Sequence, residues 1–572
     1  MLKPFALGLL VSSQMAFGAE SASLHLNIKQ ATMLQTLNQV ITAFSEEYAP
    51  IEFKFQDGQI NLAQEVQSVR NKIVENPNIT DAQFQDLLVD LVEATRDFHT
   101  QIIFNSTEKA TLPFLVMPAQ GRYFVTCIDR KKLTEQSLPD FTVGTEILSF
   151  SGRKIGDVVR ELVPQRYKGP SPSELRLATE VQLVQRYRAL GMNVPRGHVD
   201  IQIPAVGYDP ASQGGPTRDL GFEWEYTRDY VPHDIPPRNM FFDPASTFQR
   251  SPELKVTTTD DRGGCEAYTM GGSGFVPALG TDIGSIASQR FPNHIYRLPE
   301  RGPIIGFVRI PTFSIEKDEE KVEAADEFGQ IVSVMDEPNK TDLLVIDITH
   351  NLGGSVAYMY GLLSRLTDYP LKTLPHRIMV SSEMVMASAS RLERAPFVRS
   401  EEDARIVTQG LLPGMVVDFT TWLGIKRYDQ MLLDEYQAGR RLTQPTALLG
   451  LEYINPHPKQ RYTKKILVLV DELDFSAGDF FPATLQDTGR ATILGQRTAG
   501  AGGAVKETPI INQFNIQSLR YTYTIAQRLN GDPLENRGVT PDIPYEFTVQ
   551  DMTNNFVDYR QAIISAIQNM LK

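Results

Sequence analysis

Ser476 lies at the end of the run Lys465-Ile-Leu-Val-Leu-Val-Asp-Glu-Leu-Asp-Phe-Ser-Ala-Gly-Asp-Phe480, where an apolar strand passes through a turn into a helix. A hydroxyl at such a turn projects from the sheet edge, and the free N–H groups of the first helical turn can stabilise negative charge beside it. That is the chemistry of a nucleophile. The same spacing, Ser476 to Asp479, also fits a helix-capping box, in which the serine only satisfies backbone groups. A hydrolytic serine needs more: a base for its proton, a donor pair for the oxyanion and a group that orients the base.

The elements that must position these groups are legible in the pattern. From Asn27 to Arg96 the spacing is helical, with Phe84, Leu87, Leu88, Leu91 and Val92 on one face, and the strand-like Gln101-Ile-Ile-Phe104 follows. Between Leu112 and Val163 short β-type runs alternate with turns. From His233 to about Ser288 the composition shifts to Pro, Gly, Ser, Thr and Asp, the mark of a linker or of a cleavable or covering insert. From Gly302 onward strands and helices alternate, which predicts an α/β domain, and Asp558 to Leu571 reads as a closing amphipathic helix.

Composition bounds the class. At 572 residues the chain holds about three or four domains. No run is long enough to span a bilayer, and the net charge of −13 argues against a nucleic-acid partner. Lys3, the apolar Phe5 to Val11 and the small residues at Ala16-Phe-Gly-Ala19 come in the order of an export signal, so a periplasmic or secreted protein starting near Glu20 is expected. Cys127 and Cys265 allow at most one disulfide; without a Cys or His cluster around them they read as buried thiols rather than a metal site.

Two further segments flank the serine run: Leu343-Leu-Val-Ile-Asp-Ile-Thr-His-Asn-Leu-Gly-Gly354 before it and Gln486-Asp-Thr-Gly-Arg-Ala-Thr-Ile-Leu-Gly-Gln-Arg-Thr-Ala-Gly500 after it. With Leu534-Glu-Asn-Arg-Gly-Val-Thr-Pro-Asp-Ile543 they form an ordered set over about 200 residues that resembles the C-terminal processing (tail-specific) serine peptidases. The resemblance implies a crotonase-like (ClpP-like) ββα catalytic domain. Val143-Gly-Thr-Glu-Ile-Leu-Ser-Phe-Ser-Gly-Arg-Lys-Ile-Gly156 likewise resembles a PDZ core, a module that holds an extended peptide at a sheet edge. The expected division is a signal peptide at 1–19, a helical region at 20–107, a PDZ-like β-rich region at 108–232, a linker or inhibitory insert at 233–295 and the catalytic domain at 296–572.

Most tail-specific peptidases carry a lysine base in Gly-x-x-Thr-x-Gly-Lys, but here Gly495-Gln-Arg-Thr-Ala-Gly-Ala501 puts alanine in that place. The branch typified by the chlamydial protease-like activity factor pairs its serine with a histidine and a glutamate. The resemblance to that branch implies His99, in Arg96-Asp-Phe-His-Thr100, as the base and Glu535 as its orienting carboxylate. It also implies the oxyanion hole: the Gly353-Gly354 turn with the Ala477 N–H. His350 reads as a packing or hydrogen-bonding residue. The implied activity is an exported serine endopeptidase acting on proteins or peptides without metal or organic cofactor. Because His99 and Ser476 lie in distant parts of the chain, docking of those parts becomes a control point, by a zymogen step or homodimerisation. Two rivals stand beside it: a catalytically inactive peptide- or ligand-binding protein of the same fold, and a Ser476–Lys506 dyad.

Overall fold

The computed structural model describes residues 26–56, 60–134, 138–163, 171–212, 214–229, 278–299, 301–408 and 410–572. The predicted export segment and most of the predicted insert lie outside them. The catalytic region is built on a seven-stranded sheet in the order Thr281–Gly284, Asn293–Arg297, Ile304–Arg309, Leu343–Asp347, Lys465–Val470, Thr492–Gly495, Ile543–Pro544. The first three strands run antiparallel and the rest join in parallel. Two of these strands, 281–284 and 293–297, begin within the stretch read from sequence as insert. The Pro- and Gly-rich composition hid them, and the sheet extends upstream of residue 296.

Parallel strands covered on both faces read as unbroken apolar runs. Leu344, Ile346, Val468 and Val470 face the helices Asp318–Asp336, Val356–Leu363 and Ala477–Asp487. Their neighbours Leu343, Val345, Leu467 and Leu469 face the C-terminal helix Val557–Leu571 through Ile563 and Ile567. Each side chain so buried contributes about 1.5–3 kcal/mol. The site lies where such folds place it, beyond the carboxyl ends of the parallel strands.

The N-terminal helices Ile28–Glu47, Ile51–Gln56, Leu62–Glu75 and Asp81–Glu93 share one core with Ile510, Phe514, Ile516, Leu519 and Tyr521 near the other end of the chain. Strand Gln101–Phe104 pairs antiparallel with Ile516–Thr522, Gln101 opposite Arg520. This pairing fixes where the residues just before it, including His99, must lie.

The middle region has its own core, built by the hairpin Phe114–Ala119 and Arg122–Ile128, the four-stranded sheet containing His198–Pro204 and Thr217–Glu223, and the helix Ile155–Leu162. Cys127 is buried and disulfide-bonded, so it is not the free thiol the sequence suggested; Cys265, the chain's other cysteine, falls outside the described residues. No helix among the described residues is long and apolar enough to cross a membrane.

Candidate active site

The turn after strand Lys465–Val470 is stitched to the loop that follows strand Leu343–Asp347. Asp474 accepts the N–H groups of Asp471 (2.9 Å) and Asn351 (3.0 Å), and Phe475 N–H donates to the Asn351 carbonyl at 3.0 Å. The chain then turns sharply at Ser476, whose φ of 58° and ψ of −116° are left-handed for a residue with a side chain. Such backbone stores of order 1–3 kcal/mol and is typical of an elbow that lifts a hydroxyl off the sheet. The Asp479 half of the capping box is made: Ser476 N–H donates to Asp479 Oδ2 at 2.9 Å, while the Asp479 N–H donates to the Ser476 carbonyl rather than to its hydroxyl. Capping and projection are therefore compatible. Asp479 also accepts from Thr498 Oγ1 (2.5 Å), Gly500 N–H (2.8 Å) and Ala501 N–H (2.9 Å), and so ties the serine helix to the 498–502 loop. Burial pushes its carboxyl up to about 6, against these donors.

Gly353 lies directly against this turn. A Cβ there would stand 2.6 Å from the Phe475 carbonyl oxygen, 2.7 Å from Ser476 Cβ and 3.0 Å from Ala477 N. Only glycine fits, and its φ of 91° demands the same. Its own N–H is already donated to Asn351 Oδ1 at 2.9 Å. Among the described residues no hydrogen bond is found from the Ala477 or Gly354 N–H.

His99 arrives from the other end of the sequence. Its N–H donates to Asp97 Oδ1 at 2.9 Å, and its carbonyl accepts from Arg520 Nε at 3.2 Å. Phe98 meets Phe475 edge to face at 5.1 Å, so the residue before the histidine touches the residue before the serine. Burial pushes the imidazole down to about 4, with Asp97 opposing and the Arg520 and Lys54 charges adding to the fall, so it is neutral near pH 7. Its Nδ1 is buried and has no hydrogen-bond partner.

Glu535, 1% exposed, reaches the same neighbourhood. Its Oε2 accepts the Gly502 N–H at 2.9 Å, and its Oε1 is ion-paired with Lys54, a fully buried lysine from the short helix Ile51–Gln56. Lys54 Nζ donates to the Arg96 carbonyl at 3.0 Å and to Asn536 Oδ1, while Asn536 Nδ2 donates to that same carbonyl at 2.8 Å. Burial pushes Glu535 up to about 7; Asp97 adds to this and Lys54 opposes it. Among the described residues no hydrogen bond joins Glu535 to His99. The carboxylate whose charge bears on His99 is the buried Asp97, which also acts on the buried Tyr48 hydroxyl. Sequence reasoning passed over both Lys54 and Asp97. Asp97 carried a local signal, two residues from His99, but Lys54 carried none.

Lys506, the rival base, has other partners, and His350 has the packing and hydrogen-bonding role expected of it. Lys506 Nζ is taken by Ser381 Oγ (3.1 Å) and Glu383 Oε2 (3.0 Å), so nothing in the geometry supports a dyad with Ser476. His350 is buried between Glu180 Oε2 (2.9 Å) and Asp471 Oδ2 (2.5 Å). Burial disfavours its charge, yet the two carboxylates outweigh it and raise the imidazole above its ordinary value. It acts as a joint between the middle region, through Glu180, and the serine turn, through Asp471. Among the described residues no group of three or more His, Cys, Asp or Glu side chains is arranged to hold a metal ion.

Comparison with known proteins identifies the family and the fold. Residues 304–545 match peptidase family S41 and residues 108–232 match a PDZ domain. An uncharacterized protein of Chlamydia muridarum is 30% identical over 95% of this chain and 92% of its own length. The crystal structure of mature CPAF, the chlamydial protease-like activity factor, superposes with a TM-score of 0.81 at 30% identity, over 95% of this chain and 98% of that one. Mature CPAF complexed with lactacystin matches equally, with a TM-score of 0.81. A likeness that spans the helical region, the PDZ domain and the catalytic sheet together leaves one assignment: the chain belongs to peptidase family S41, as a serine-type peptidase.

Proposed function

We propose that this protein is an exported endopeptidase that cuts protein substrates with Ser476 as nucleophile, His99 as base and Glu535 as the carboxylate supporting the base. The observation that carries this reading is the meeting of Phe98 with Phe475, which brings the segments bearing His99 and Ser476 side by side. Ser476 Oγ attacks the scissile carbonyl carbon as its proton passes to His99. The N–H groups of Ala477 and Gly354 receive the oxyanion. Collapse of the tetrahedral adduct breaks the C–N bond, and His99 returns the proton to the leaving amine. Water, deprotonated by His99, then hydrolyses the acyl-enzyme and frees Ser476. The PDZ domain suits the task of holding an extended peptide for the catalytic domain.

Asp97 offers a second reading of the carboxylate's role, favoured by its charge acting on His99 and by its Oδ1 accepting the His99 N–H. Export rests on the order of charged, apolar and small residues at 1–19. Casein digestion by wild type and by Ser476→Ala, His99→Ala, Glu535→Gln and Asp97→Asn separates these readings. The triad predicts that the first three lose cleavage while Asp97→Asn keeps most of it. A Ser476→Ala protein that still cleaves as well as wild type refutes the assignment.

A further inference from the structure

We infer that Lys54 is a positioning residue of the hydrolytic site: its ammonium holds Glu535 in place and docks the segment that carries His99. The inference rests on the triad reading above and deepens it. Three distant pieces of chain converge on one nitrogen. The helix Ile51–Gln56 supplies Lys54, the segment entering His99 supplies the Arg96 carbonyl at 3.0 Å, and the C-terminal loop supplies Glu535 and Asn536. Lys54 is 0% exposed and Glu535 1%, so neither has water to replace the other.

Removing one member of a buried ion pair leaves the other uncompensated. The groups acting on Glu535 are few: Lys54 and the Gly502 N–H favour its ionised form, while Asp97 opposes it, and the buried Tyr48 hydroxyl feels the same charge. Without Lys54, burial and Asp97 act on Glu535 almost unopposed. It then takes up a proton at higher pH and no longer supports an imidazolium at His99. Arg96, held at a left-handed φ of 50°, loses one of the two donors on its carbonyl, so the histidine segment loosens as well.

The test is the pH dependence of kcat/KM on a quenched-fluorescence casein peptide for wild type, Lys54→Met and Lys54→Arg, with folding checked by circular dichroism. Lys54→Met is expected to lose at least tenfold in kcat, to change KM less than threefold, and to move the acid limb of the profile up by about one pH unit. Lys54→Arg, which keeps the charge, is expected to hold the acid limb within about 0.3 unit. A folded Lys54→Met enzyme with the wild-type rate and acid limb overturns the inference. Should Lys54→Met not fold, a Lys54→Arg enzyme whose acid limb moves as far as predicted for the neutral variant overturns it equally. His99→Ala measured alongside tells the two readings apart: full activity there defeats the triad itself, whereas loss there with an unaffected Lys54→Met defeats only the role of Lys54.

Discussion

Replacing Gly353 by alanine tests how closely the glycine turn and the serine elbow are fitted. The new Cβ would stand 2.6 Å from the Phe475 carbonyl oxygen and 2.7 Å from Ser476 Cβ, where ordinary contact begins at 3.4 Å. The two loops must separate by about 0.7–0.8 Å. Neither has slack, because Asn351 and Asp474 bind each loop to the other. A displacement of 1 Å at a reacting group costs about 100-fold, so kcat/KM is expected to fall by about 30- to 100-fold. The φ of 91° adds about 1–2 kcal/mol of strain and lowers Tm by a few degrees. Gly121→Ala is the control: its φ is 75°, but no atom lies within 4 Å of the position its new methyl would take, so it is expected to lose stability and keep activity. The assay pairs initial rates on a casein peptide with thermal melts of both variants. A Gly353→Ala enzyme with wild-type kcat/KM would refute the argument that this glycine sets the nucleophile's position.

Other outcomes follow from the same geometry. The acid limb of kcat/KM is expected near pH 7, where Glu535 gains its proton, rather than near pH 4, where His99 does; a pH-rate profile decides this. The two groups act oppositely on stability, which denaturant titrations at several pH values resolve. His99 is depressed in the folded state, so its contribution is lost as pH falls from about 6.5 to about 4, whereas Glu535 is raised, so its contribution is lost as pH rises from about 4.5 to about 7. Lys506→Ala is expected to keep cleavage within about twofold and to cost about 1–2 kcal/mol, because it removes a bond to Ser381, a pair with Glu383 and a contact with the Tyr523 ring. His350→Phe removes the imidazole between Glu180 and Asp471 but leaves the buried Arg176 paired with both, and is expected to destabilise by about 1–3 kcal/mol in urea titration.

Much of the fold was legible because its signals are local. The apolar runs at Leu343 and Lys465, the glycine pair at 353–354 and the spacing from Ser476 to Asp479 each sit within a dozen residues, and the sheet uses them as written. The ordering of motifs then carried the family. What stayed hidden depends on contacts between distant parts. Lys54 stands in a six-residue helix with no motif, and only docking across 481 residues of sequence makes it the partner of Glu535. The joint at His350 likewise needs Glu180, from 170 residues earlier. The strands at 281–284 and 293–297 were masked by neighbouring turn-forming composition, and the strain at Ser476 is a backbone property with no residue code.

The most direct test of the account is labelling by a fluorophosphonate, read by mass spectrometry of the modified peptide, in wild type, His99→Ala and Glu535→Gln. An activated serine with a neutral imidazole beside it predicts one adduct per chain at Ser476, abolished in His99→Ala and slowed at least tenfold in Glu535→Gln. Labelling of Ser476 at the wild-type rate in a folded His99→Ala protein would contradict it, and would mean that the hydroxyl draws its reactivity from a group other than the imidazole.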